Sequence, residues 1–321
     1  MKALVIGATG FIGGAIARAA LAKGWQVRAL RRDKHRVGAI GDLAAQGRIE
    51  WHHADLADSS AVVRAMLGCD VVFHAAGYYP LSSRAPARQI REARAQMDRV
   101  LLAFRQAKSG LLVYTSSLST IGPSSEPGRL ANERDVYQQG DAPVLYFDIK
   151  IAMEQAAFEA GLPVVALCPT FVLGPGDFKP TSGRLLLGVA QGLVPFYLDG
   201  QINVVDVQDV AEAHVSSVER GRPGERYIIG GENMSIRHML TEMARQAGRR
   251  PPWLRLPLPL VEIGGAVAGR VGLLNADVIL GTRYFQPLDT SKARVGLGLA
   301  CRPFAETVAS ALAWFHEHGY L

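Results

Sequence analysis

Apolar and polar positions along the 321-residue chain follow two periods in turn. Lys2 to Ile6 is almost purely apolar, as strands buried on both faces of a parallel sheet are. Trp25 to Leu30, Arg48 to Ala54, Asp70 to Ala75, Leu111 to Thr115 and Val164 to Cys168 predict further strands. Between them, Gly14 to Lys23, Ser59 to Leu67, Pro86 to Lys108 and the stretch around Tyr146 to Lys150 predict helices. In the long helix Ile90, Ala93, Met97, Leu101 and Phe104 form one apolar stripe, suited to a core or a dimer face. Strict alternation of strand and helix implies a parallel sheet with helices on both faces.

Beyond Cys168 the pattern changes. Pro169 to Pro175 turns away from the sheet, and Val204 to Val210 reads as a short strand entering a helix with Asp209 near its cap. Arg226 to Ile229 predicts a strand, and Ser235 to Ala247 and Glu306 to His318 predict helices. The expected architecture is α/β: a Rossmann-type, doubly wound parallel sheet with a smaller, discontinuous C-terminal substrate lobe. Residues 1–169 and 204–230 would form the nucleotide-binding domain, and 170–203 and 231–321 the lobe.

Composition is that of an ordinary globular chain, with 49% apolar and 20% charged residues. The net charge of +6 is spread out, which favours an anionic small molecule and gives no basic block for nucleic acid. Cys69, Cys168 and Cys301 form no CxxC pair, so neither a disulfide framework nor a zinc site is expected, and a reducing, cytoplasmic setting fits. No metal spacing links His52, His53 and His74, which read as structural. The chain enters an apolar run at Ala3 and reaches Gly7, so no signal peptide is expected. The apolar segment Leu254 to Leu280 carries Arg255, Glu262, Arg270 and Asp277, which argues against a transmembrane helix; a helix lying on a lipid surface stays open.

The candidate chemistry sits at the predicted carboxyl ends of strands. Gly7-Ala8-Thr9-Gly10-Phe11-Ile12-Gly13 joins the first strand to the first helix. Glycines there permit a tight turn, backbone approach to a diphosphate and close helix–strand packing, and the helix N-terminus attracts the anion. Arg31 and Arg32 follow the second strand, where two guanidinium groups suit a ribose 2′-phosphate, so NADP is expected over NAD. Ala75-Ala76-Gly77 is a small-residue loop fit for close passage of a ligand. Ser117 ends the strand carrying Thr115. Tyr146 and Lys150 are four apart, so they share one helix face. A phenol titrates at about pH 10. A neighbouring ammonium would lower that and let the pair move a proton.

Together these features resemble the extended short-chain dehydrogenase/reductases, nearly end to end. The resemblance rests on the glycine motif, Asp55-Leu56, His74-Ala75-Ala76-Gly77, Thr115-Ser116-Ser117, Tyr146 with Lys150, Pro169 to Pro175 and Val205-Asp206-Val207-Gln208-Asp209-Val210-Ala211. Pro169-Thr170, Lys179-Pro180-Thr181, Gly224-Glu225-Arg226-Tyr227 and Gly230-Gly231-Glu232-Asn233 look most like the dihydroflavonol-reductase-like branch, which includes hopanoid-associated sugar epimerases. The resemblance implies that Tyr146 exchanges the proton, Lys150 lowers its pKa and holds the nicotinamide ribose, and Ser117 binds the substrate oxygen. It implies that Asp55 and Leu56 flank the adenine, that Ala75, Ala76 and Gly77 line the cofactor channel, and that Pro169, Thr170, Phe171 and Val172 pass near the nicotinamide. A homodimer through the helices near 86–108 and 146–160 is implied as well. Where relatives often carry Asn-Val-x-Gly-Thr, this chain has Arg94-Ala95-Gln96-Met97-Asp98, without that asparagine and glycine.

The expected activity is NADP-dependent hydride transfer to or from a carbonyl or secondary alcohol. The alternative is a nucleoside-diphosphate-sugar epimerase with a retained cofactor. A dehydratase is disfavoured because Leu118-Ser119, not an acidic pair, follows Ser117. A cofactor-sensing regulator is disfavoured because the Tyr/Lys pair is kept. Tyr78, Tyr79, Lys179, Arg184, Asn203 and Arg283 are the substrate-side candidates for a sugar nucleotide or other anion.

Overall fold

The computed structural model describes residues 1–80, 85–257 and 282–321. The apolar segment from Leu254 onward therefore lies, past Pro257, outside the described residues, as do positions 81–84. No helix among the described residues is long and apolar enough to cross a membrane.

Seven parallel strands form the main sheet: β1 (Lys2–Ile6), β2 (Gln26–Arg31), β3 (Ile49–His53), β4 (Val71–His74), β5 (Leu111–Thr115), β6 (Val164–Pro169) and β10 (Arg226–Ile229). Their order is β10-β6-β5-β4-β1-β2-β3. From β1 the chain winds outward to β3, then crosses back to β4 on the other side of β1. That reversal opens a crevice at the carboxyl ends of β1 and β4, where ligands of such sheets bind.

The strands are apolar on both faces because both are covered. Ala3 and Val5 join one core with Ile16 and Ala17 of α1 (Phe11–Ala22) and Val210 and Ala211 of α7 (Val207–Arg220). Leu4 and Ile6 join the other, with Val62 of α3 (Ser59–Met66), Met97 and Phe104 of α4 (Pro86–Ala107), and Ile149 and Met153 of α5 (Leu145–Glu159). Burying each such side chain is worth roughly 1.5–3 kcal/mol. That outweighs strand propensity, whose whole scale spans about 1 kcal/mol. The stripe on α4 is thus core. In the stretch that departs from the relatives' pattern, Met97 is fully buried and Arg94 pairs with Glu159 of α5.

The smaller lobe has its own core. It is built on a three-stranded sheet of β7 (Phe171–Leu173), β9 (Gln201–Asp206) and β11 (Glu232–Ser235), with α6 (Gly183–Ala190), α8 (Ile236–Gln246) and the final helix Phe304–Glu317. A two-stranded piece pairs β8 (Phe196–Leu198) with β12 (Leu254–Leu256). The stretch 204–230 is therefore shared. Val204–Asp206 belongs to the small sheet, α7 packs on the large one, and β10 forms its edge. The α7 cap is Asp206, whose carboxylate accepts from Gln208 N–H at 2.7 Å. Asp209, expected near the cap, lies inside the first turn and pairs with Arg302.

Candidate active site

Gly7 follows β1 with φ +94°, and a Cβ there would stand 2.8 Å from Ala76 N and 2.9 Å from the Ala75 carbonyl carbon. The exits of β1 and β4 thus touch, backbone on backbone, at the topological reversal. A Cβ on Gly13 would lie 2.2 Å from Gly7 O, so α1 packs directly on the turn. Gly10 caps α1 without a side chain, which leaves the first N–H groups of the helix for an anion. Thr9 sits in this turn, and Phe11 and Ile12 open α1 half-buried against the core. The cradle fits a dinucleotide diphosphate.

Around it, Arg31 is half-buried with its guanidinium 4.1 Å from the Trp51 ring centroid, and Arg32 is exposed. After β3, Asp55 is exposed and turns its carboxylate to Ala57 N–H at 2.9 Å. Leu56 is half-buried, and its carbonyl accepts from Arg99. Ala75, Ala76 and Gly77 leave β4 half-buried.

Gly77 leads to the second half of the site. A Cβ on it would lie 3.4 Å from Lys150 Nζ and 3.0 Å from the Tyr79 ring. Lys150 Nζ donates long bonds of 3.4 Å to the carbonyls of Thr115 and Ser116, at the end of β5. It lies 6.0 Å from the Tyr146 ring centroid. Tyr146 stacks on Tyr79, with centroids 5.6 Å apart and planes at 15°. Ser117 is 9% exposed and caps the turn Leu118–Thr120, its Oγ accepting from Ser119 N–H at 3.2 Å.

Burial sets the electrostatics. It pushes the Tyr146 phenol well above its ordinary value, reinforced by Tyr79, while Ser117 pulls the other way. It pulls Lys150 down to about 8. The expected lowering of Tyr146 by Lys150 is overridden: a buried lysine is itself driven toward neutrality, and desolvation of the phenolate is the larger effect.

Several residues that sequence reading passed over hold this site. Glu154 lies one turn beyond Lys150 on α5. It accepts from Ser116 Oγ, from Thr120 Oγ1 at 3.1 Å and from Cys168 Sγ at 3.5 Å, and pairs with Arg226. Burial and Glu154 push the Cys168 thiol up to about 12. Thr115 Oγ1 bonds His214 Nε2 at 2.8 Å, and His214 Nδ1 bonds Val210 O at 2.7 Å. A carbonyl needs a donor, so Nδ1 carries the proton and Nε2 accepts. The i+4 spacing of Lys150 and Glu154 was the one visible signal.

The substrate-side candidates scatter. Tyr79 covers Tyr146; Tyr78 is half-buried and donates to Glu92 at 3.0 Å. Lys179, Arg184 and Arg283 are exposed. Asn203 is 2% exposed and donates to Asn233 at 2.7 Å, which makes it a brace between β9 and β11. Pro169 closes β6, and Thr170 N–H donates to Ile229 O at 3.0 Å. Thr170 Oγ1 is buried with no partner among the described residues, Phe171 packs edge-on against Phe285, and Val172 O accepts from Ser182.

The sequence profile of the NAD dependent epimerase/dehydratase family matches residues 3–230. The chain belongs to that family. It is thereby an NAD(P)-dependent enzyme of the extended short-chain dehydrogenase/reductase type, with reductases and epimerases among its relatives. A protein of Synechocystis sp., whose name proposes a dihydroflavonol 4-reductase, is 32% identical over 99% of this chain and 95% of its own length. The structure of a nucleoside-diphosphate-sugar epimerase from Pseudomonas aeruginosa superposes with TM-score 0.86 and 28% identity, covering 100% of this chain and 99% of that one. A Bacillus cereus UDP-glucuronic acid 4-epimerase, solved with UDP-glucuronic acid and NAD, shares the fold at TM-score 0.77 and 18% identity, over 99% of this chain and 100% of that one.

Proposed function

We propose that this family member is an NADP-dependent oxidoreductase acting on a carbonyl or secondary alcohol of a small, anionic substrate. The observation that carries the reading is that Ser117 bonds Tyr146, and Lys150 lies beside both Tyr146 and Gly77, next to the cradle made by Gly7 and Ala75 to Gly77. NADP supplies the hydride chemistry when bound. Tyr146, held protonated by burial, suits donation of a proton to a substrate oxygen, the reductive direction. Lys150, drawn to about 8, suits return of a proton to the phenolate near neutral pH. Ser117 orients the oxygen. Arg31 and Arg32 favour the 2′-phosphate of NADP.

On this reading residues 1–169 and 204–230 serve the cofactor, with Val204–Asp206 shared with the small sheet, and 170–203 and 231–321 the substrate. Asp55 and Leu56 flank the adenine, and Pro169 to Val172 the nicotinamide. Tyr78, Tyr79, Lys179, Arg184 and Arg283 are the substrate-side set. The protein acts as a cytoplasmic homodimer through α4 and α5. The second reading, a sugar-nucleotide epimerase with retained cofactor, is favoured by the full-length likeness to the Pseudomonas aeruginosa epimerase.

Mass spectrometry of the cofactor carried by the purified protein, with NADPH and NADH titrations alongside, separates the two. Tighter, freely exchanging NADPH supports the reductase. NAD retained through purification overturns it in favour of the epimerase.

A further inference from the structure

Arg31 and Arg32 are adjacent in sequence but differently held. Strand alternation puts Arg31 on the same face of β2 as Val27 and Ala29. Trp51 packs against that same core from β3, where it stands opposite Ala29, two residues before Arg31. The contact is a diagonal cross-strand pair. It sets the Arg31 guanidinium carbon 4.1 Å from the indole centroid. Arg31 Nε is buried with no hydrogen-bond partner among the described residues, whereas Arg32 is exposed.

Stacking occupies the face of a guanidinium and leaves donors in its plane for an anion. It also removes rotamer freedom before a ligand arrives, a cost that Arg32 still has to meet on binding. The segment after β2 folds back on the glycine turn, Ala39 N–H donating to Thr9 O at 3.4 Å. A Cβ on Gly38, at φ +53°, would stand 2.1 Å from Thr9 O. The basic segment and the phosphate cradle are thereby held together.

We propose that Trp51 is a positioning residue for cofactor choice: its indole holds the Arg31 guanidinium ready for the ribose 2′-phosphate, and Arg32 adds a second, solvent-exposed charge. This rests on the NADP reading above. The test is equilibrium binding of NADPH and NADH, followed by the fluorescence of the bound reduced cofactor. Trp51→Leu raises the Kd for NADPH about fivefold, the loss expected for one cation–π contact, and leaves that for NADH within about twofold. Trp51→Phe recovers most of the loss, because an aromatic face remains. Arg31→Leu, which keeps Trp51, reproduces the lost discrimination and serves if Trp51→Leu fails to fold. Equal weakening of both cofactors, or of neither, by both Trp51→Leu and Arg31→Leu overturns the proposal. If the wild type binds both cofactors alike, the NADP reading itself fails. If the wild type prefers NADPH and only Arg32→Ser abolishes that preference, the NADP reading stands and the role of Trp51 is overturned.

Discussion

Glu154 and Arg226 form an ion pair whose side chains are 7% and 10% exposed. The pair ties α5, which carries Tyr146 and Lys150, to β10 at the sheet edge. Arg226→Met leaves a buried carboxylate without its counter-charge, which costs about 3–5 kcal/mol. Urea unfolding should show that loss. Glu154→Leu combined with Arg226→Met should recover only part, because Ser116, Thr120 and Cys168 lose their acceptor too. A cost below about 1 kcal/mol for Arg226→Met would mean that the pair does not brace the site.

Tyr146→Phe removes the proton but keeps the ring that stacks on Tyr79. Turnover should fall by roughly 10²–10⁴-fold, the usual worth of a positioned acid. NADPH affinity should stay within about twofold, since no bond to the phosphate cradle changes. Ser117→Ala should lose roughly 10²-fold in kcat. Steady-state kinetics beside cofactor titration separates the two effects, and unchanged turnover in Tyr146→Phe would remove Tyr146 from the chemistry.

Much of this site is legible in the chain because it depends on local sequence. Gly13 answers a backbone contact made within one turn and one helix, with Gly7 O, and the run from Lys2 to Ile6 reads as a strand covered twice. What is not legible depends on pairing between distant elements. Asn203 reads as a substrate-side residue just before a strand. It is a brace because β9 runs antiparallel to β11 and sets it opposite Asn233. Arg226 reads only as the start of a strand, until β10 pairs with β6 and brings it to Glu154 on α5, the helix that precedes β6. The Trp51 contact with Arg31 needs the register of β2 on β3. The Tyr146 pKa runs opposite to expectation because spacing shows who is near, while burial, a property of the whole fold, sets the sign.

Gly13→Ala tests the cradle. The new methyl would stand 2.2 Å from Gly7 O, a backbone atom that cannot swing aside. Overpacking of this kind costs about 1–3 kcal/mol and pushes α1 off the turn. Thermal unfolding should show lower stability and titration a weaker cofactor complex. Gly24→Ala is a useful contrast. A Cβ there meets nothing within 4 Å among the described residues, but φ is +79°, so stability alone should fall.

His74 and His214 are fully buried, and burial pulls them to about 3 and about 4. Each is neutral in the fold and takes up a proton on unfolding below about pH 6.5. The unfolded state then binds more protons, so stability falls as pH drops from about 6.5 toward those folded values. His74→Leu should flatten this slope in unfolding measured between pH 4 and pH 7. An unchanged slope would show that His74 is solvated.

Lys150 gives the opposite end of the same curve. Its folded value is pulled from 10.5 to about 8 by burial. Below about pH 8 both folded and unfolded states carry the proton, and the fold bears the full cost of a buried ammonium. Between about 8 and 10.5 the unfolded state binds the proton and the folded state does not, so this residue's contribution to stability rises with pH. Lys150→Met keeps the length of the side chain and removes the charge. It should be more stable than the wild type at pH 7 by about 3 kcal/mol, with the gap closing as pH rises through that window. The same variant should lose turnover, which sets a functional lysine against stability. Equal stabilities at pH 7 would show that the Thr115 and Ser116 carbonyls already offset the burial of the ammonium group.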